Sequence, residues 1–150
     1  MIVIRAGETV EVKAGEYVFV RNGGKAIVQA GGWAVAQDGG KADVHSGGWA
    51  EVEYGGSANV LEGGNATVQE GGKAFVKAGG KAFVKADGKA IVHDGGWAVA
   101  QDGGKAEVLE GGNANVYRYG NATVYPGGHV TGEGTITYVE LPTEDLTPSV

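Results

Sequence analysis

From Gly7 to Gly134 the chain can be cut every eight residues, without an insertion, into sixteen octads. The fourth residue of the octad is Ala in thirteen cases and Val in three. The sixth is Val in thirteen, Ala in two (Ala36, Ala100) and Gly in one (Gly132). The third, fifth and seventh positions hold mostly Lys, Trp, Asn, Asp, Glu, Gln and His, and the first and second are each Gly in fourteen octads. Residues two apart lie on one face of a β-strand, so this alternation predicts a strand of about five residues with a small apolar inner face and a polar outer one. The eighth residue and the two glycines then form the turn, where a tight bend needs positive φ and close backbone approach. A helix is excluded, because the period is two and a Gly-Gly pair in every octad would be costly there.

One octad cannot bury its Ala/Val face, but stacked copies can, each bonded through its backbone to the coils on either side. The expected fold is therefore all-β, a parallel β-solenoid. A meander of antiparallel hairpins is the alternative, disfavoured because every turn carries the same letters. Two octads would make a two-sided, 16-residue coil, and three would make a three-sided, 24-residue coil. Small inner residues suit the narrow gap between two opposed sheets, whereas a triangular core would call for Leu, Ile or Phe. The stretch GGWAVAQD occurs at 31–38 and again at 95–102, eight octads apart, a whole number of two-octad coils only. With 16-residue coils, eight coils make a rod of about 38 Å at the usual strand spacing.

The ends differ from the middle. Residues 1–6 (MIVIRA) read as a lead-in strand, and residues 135–141 alternate as a last strand or cap. Residues 1–141 then form a single solenoid domain. Residues 142–150, with Pro142 and Pro148, read as a tail or linker.

Two sets of outward residues are candidates for binding. The third position sorts by parity: Tyr17, Trp33, Trp49 and Trp97 all fall on even octads, hence on one face of a two-sided coil. Aromatic side chains in register cover each other along a ladder. The same row is the candidate face for a glycan or a partner protein. At the fifth position, Phe75, Phe83, Ile91 and Val99 interrupt a polar series and form a candidate self-association patch, flanked by Lys73, Lys77, Lys81 and Lys85. Phe75 and Ile91 would be neighbours on one face, and Phe83 and Val99 on the other. A homo-oligomer held by edge or face contacts is the corresponding partner.

Composition narrows the chemistry. The 30 glycines in 150 residues are about three times the usual share. A net charge of −6 with no strongly basic segment argues against a nucleic-acid groove. No Cys is present, so disulfides and thiolate metal sites are excluded. His45, His93 and His129 fall several coils apart, and neither a nucleophile–base set nor a phosphate loop is visible. These observations predict no enzyme, no metal and no cofactor. The stretch MIVIRAG is too short and too quickly polar for a signal peptide, and no apolar run is long enough for a membrane span. The expected location is cytoplasmic or virion-associated. Ice binding would want an unbroken rank of Thr on a flat face, but at the fifth position Thr67, Thr123 and Thr131 are interrupted by Asn, Glu and Phe.

The letters GNATV stand at 64–68 and again at 120–124. They resemble the GNATV-like Gly-Ala-Val octapeptide repeats of uncharacterised bacterial and phage-encoded proteins. That resemblance implies a β-solenoid and no known activity. In plan, the array is also similar to the heads of trimeric bacterial adhesins and to RTX-type β-rolls. From the RTX repeat it departs at Ala42, where the calcium repeat has Gly, and Asp43 lacks the repeated carboxylates such sites need. The reading that follows is a non-enzymatic structural or scaffolding solenoid: a rigid rod or assembly module, alone or within a larger surface or virion protein. The alternative is a binding module using the Trp/Tyr face.

Overall fold

The computed structural model describes residues 2–140, and all of its regular structure is β. Eighteen strands build two parallel sheets of nine. The first sheet, here the Trp sheet, holds β1 (Ile2–Ile4), β3 (Tyr17–Val20), β5 (Trp33–Ala36), β7 (Trp49–Val52), β9 (Asn65–Val68), β11 (Lys81–Val84), β13 (Trp97–Ala100), β15 (Asn113–Val116) and β17 (His129–Gly132). The second, the Lys sheet, holds β2 (Thr9–Val12), β4 (Lys25–Val28), β6 (Lys41–Val44), β8 (Ser57–Val60), β10 (Lys73–Val76), β12 (Lys89–Val92), β14 (Lys105–Val108), β16 (Asn121–Val124) and β18 (Thr135–Tyr138). Successive strands alternate between sheets, and each pairs with the strand two octads on, as in Phe75 with Ile91 and Trp33 with Trp49. The protein is a two-sided parallel β-solenoid with 16-residue coils.

The interior follows from the octad. Ala26 to Ala122 at the fourth position and Val12 to Val124 at the sixth are at most 3% exposed, and no polar or charged residue is buried among the described residues. Each strand from β2 to β18 contains four residues, one fewer than the alternation suggests. The seventh residue has already entered the turn, although its N–H still bonds the coil before, as Gln37 does to the Val20 carbonyl at 3.0 Å.

The two glycines of a turn have different tasks, seen at Gly39 and Gly40. Gly39 has φ +84, and a Cβ there would meet nothing closer than the Gly23 nitrogen at 3.7 Å, so it supplies a left-handed conformation rather than room. Gly40 lacks that φ, but a Cβ there would strike the carbonyl oxygen of Val20. Its N–H closes the turn on the Gln37 carbonyl at 2.8 Å. The same obstruction, under 3.0 Å and always from the residue twenty positions earlier, recurs at every second-position glycine from Gly24 to Gly128. Glu8 and Glu16, the two exceptions, stand in the first two octads, where no such carbonyl exists in this chain.

The turns also stack. Along one edge the first-position amide bonds the next coil's carbonyl from Gly15 through Gly31 and onward to Gly127, in seven bonds of 2.9–3.1 Å. The opposite edge is less uniform: Asn22, Asp38, Ala86 and Asp102 also take positive φ at the eighth position. Asn and Asp tolerate that region; Ala86, followed by Asp87 at φ 63, occupies it at a strain of about 1 kcal/mol.

The lead-in segment forms β1 in register with β3, placing Ile4 inside at 1% exposure. At the other end β18 pairs β16 at an offset of 14, because only Glu133 and Gly134 separate β17 from β18. The expected last strand therefore ends at Tyr138 in the described part; Leu141 and the expected tail 142–150 lie outside the described residues. Among the described residues no helix is long and apolar enough to cross a membrane.

Candidate functional site

The Trp sheet brings Tyr17, Trp33 and Trp49 into one register file on β3, β5 and β7. Their rings stack at 6.1 Å (Tyr17–Trp33) and 5.5 Å (Trp33–Trp49), with planes within 23°. Trp33 thus has a ring against each face, and of the three only Tyr17 is strongly exposed, at 48%. Phe83 extends it: its ring lies 6.4 Å from that of Trp49, although β9 stands between their strands. Strands two apart are separated by about 9.6 Å, so the two rings lean towards each other across Asn65 and Thr67. Phe19 adds an edge-to-face contact with Tyr17 at 5.4 Å.

Trp97 lies on the same sheet outside this file. Its register neighbours are Lys81 and Asn113, it stacks on no ring, and it is 37% exposed. Of the four aromatic candidates it alone keeps both ring faces free of other rings.

The packing of the file shows in its polar atoms. The indole Nε1 of Trp33 is buried without a hydrogen-bond partner, a cost of about 1–3 kcal/mol. Burial, followed by the charges of Glu51 and Glu53, raises the Tyr17 hydroxyl above its ordinary pKa. Beside the rings runs a side-chain ladder at the seventh position: Arg21 Nε donates to Gln37 Oε1 at 2.9 Å, and Gln37 Nε2 donates to Glu53 Oε2 at 2.8 Å. Gln69 Nε2 donates to Glu51 Oε1 at 2.7 Å. Sequence reading missed this ladder, although Arg21, Gln37 and Glu53 are spaced one coil apart.

The fifth-position apolar residues separate as their parity requires. Phe75 and Ile91 are register partners on the Lys sheet; Phe83 and Val99 are partners on the Trp sheet. A lysine ammonium sits 5.1 Å from each Phe ring centroid, Lys73 over Phe75 and Lys81 over Phe83. Val99 is only 7% exposed and Val35 only 1%, so the expectation that the fifth position faces water fails at these two. A valine there is shorter than the residues around it and is roofed by them. Val35 sits in register between Phe19 and Glu51.

The Lys sheet presents lysines at the third position: Lys25 and Lys41 on adjacent strands, Ser57, then Lys73, Lys89 and Lys105 on three more. Lys25 pairs with Asp43 at 3.1 Å and Lys89 with Glu107 at 3.3 Å. A depression of about 370 Å³ at the C-terminal end of this file is lined by Lys89, Lys105, Asn121, Thr123, Thr135 and Thr137.

Burial, then the nearby Lys77 charge, lowers the His93 imidazole below its ordinary pKa, and its Nε2 is buried without a partner. His45, His93 and His129 do not converge, and the described residues hold no group of three or more His, Cys, Asp or Glu able to bind a metal.

No protein-family model matches this chain, and no curated protein matches it. Among solved structures it is similar to a TibC-catalysed hyper-glycosylated TibA fragment, at 21% identity and a TM-score of 0.34, covering 93% of this chain and 96% of that one.

Proposed function

We propose that this protein is a non-catalytic structural rod, a spacer or assembly module that holds whatever joins its ends and faces at fixed separation. The observation that carries this reading is the continuity of its backbone bonding. Two nine-stranded parallel sheets and an edge file of seven stacked turn bonds run the length of the molecule. Bending or stretching such a rod would break several bonds at once. No acidic or basic residue is wholly buried among the described residues, and the interior is Ala and Val apart from Ile4.

Stiffness is measurable directly, since the chain has no Cys to compete with a label. Nitroxides at Lys25→Cys and Lys105→Cys stand on β4 and β14, five strand spacings or about 24 Å apart. A narrow distance distribution near that value, unchanged on warming towards the melting transition, is expected. A broad distribution would remove the rod reading.

A further inference from the structure

The lysine file is unfavourable for the fold by itself. Lys73 and Lys89 are register partners, as are Lys89 and Lys105, and Lys25 and Lys41. Like charges directly opposite one another in a sheet repel. Two members are relieved by ion pairs, Lys25 with Asp43 and Lys89 with Glu107; Lys41, Lys73 and Lys105 have no carboxylate partner among the described residues. The solenoid sets the lysines about 4.8 Å apart along its axis. That is one positive charge for each step of roughly a sugar residue's length.

We propose that the outer face of the Lys sheet binds a linear acidic polysaccharide carrying one carboxylate per sugar, laid along the solenoid axis over Lys73, Lys89 and Lys105. Three observations point to this class. The charge repeat is linear and regular, matching a polymer better than a compact anion. The file runs into the 370 Å³ depression, where Asn121, Thr123, Thr135 and Thr137 add amide and hydroxyl groups suited to sugar hydroxyls. Finally, Phe75 is the one aromatic residue at the outward third and fifth positions of this sheet among the described residues, and Lys73 covers its ring. A single-stranded nucleic acid would want a series of open stacking platforms, which this face lacks. Glu107 also lines the depression, where its pairing with Lys89 limits its repulsion of an incoming carboxylate.

The test uses the full chain and polygalacturonate as probe, by affinity electrophoresis at low salt. Retardation by polygalacturonate, its absence with the methyl-esterified polymer, and its loss as salt rises are expected. Lys73→Gln/Lys105→Gln should weaken binding by about tenfold or more, while Lys81→Gln/Lys85→Gln, from β11 and the turn after it, should change it by less than about twofold. All four positions are exposed, and the melting temperature of each variant without polymer checks its fold. Polygalacturonate should raise the melting temperature of the parent and not that of Lys73→Gln/Lys105→Gln. No retardation of the parent, an equal loss in both double variants, or equally tight binding of poly(U) would overturn the proposal.

Discussion

At the scale of single residues, the outer face of the Trp sheet is more packed than its letters suggest. Trp33 lies between two rings and leaves its Nε1 buried and unpaired. Its contribution to stability is therefore the ring contact minus the cost of an unsatisfied donor. Replacing it by Phe keeps a ring in the file and removes the donor; replacing it by Ala removes both. Trp33→Phe should leave unfolding free energy within about 1 kcal/mol of the parent, whereas Trp33→Ala should lose about 2 kcal/mol or more. Chemical denaturation of the two variants checks this, and an equal loss in both would show that the indole N–H is satisfied. Roofing of Val35 and Val99 is a second residue-scale effect. It depends on neighbours in the adjoining coils, so alternation within one octad does not reveal it.

At the scale of the element, the Gly-Gly pair is two constraints written with one letter. The first glycine answers a φ, the second a carbonyl from another coil. Asp87 and Tyr119 show that the first position admits other residues with positive φ. From Gly24 to Gly128 the second position admits none. Gly39→Asn should accordingly cost no more than about 1 kcal/mol. Gly40→Ala, whose Cβ meets the Val20 carbonyl, should lower stability by about 3 kcal/mol or prevent folding. Comparing their melting transitions decides the point: similar losses would mean that the corner can open to make room. The sequence showed that a turn needs glycine. It could not separate the two reasons, since the obstructing atom belongs to a residue twenty positions away.

At the scale of the whole molecule, Glu8 and Glu16 are expected to resist stacking of a further coil on their side. A further coil stacked beneath the first one would bring a carbonyl against each Cβ, as Ile4 O would meet a Cβ at Gly24 at 2.6 Å. Suppose that two interior octads, GGKAFVKAGGKAFVKA, and a Gly-Gly pair are joined ahead of Met1. The added coil should stay open to hydrogen exchange in the parent background and gain protection in Glu8→Gly/Glu16→Gly. Equal protection in both backgrounds would show that the end coil accepts Glu and that these residues do not terminate stacking. The C-terminal end departs differently, through a two-residue turn that shifts β18 to an offset of 14 from β16.

Sequence alone determined the strand period, the inward Ala and Val, the parallel stacking and, through the parity of Tyr17, Trp33, Trp49 and Trp97, the side each outward residue occupies. These are legible because each octad repeats the same local instruction and a strand converts period two directly into two faces. Only the tertiary structure decided that Phe83 joins the ring file while Trp97 does not, that Val35 and Val99 are buried, that Arg21, Gln37 and Glu53 form a ladder, and which glycine meets a carbonyl. Each of these is set by contacts between coils, where a side chain's surroundings depend on residues one or more coils away and on how far it leans to reach them.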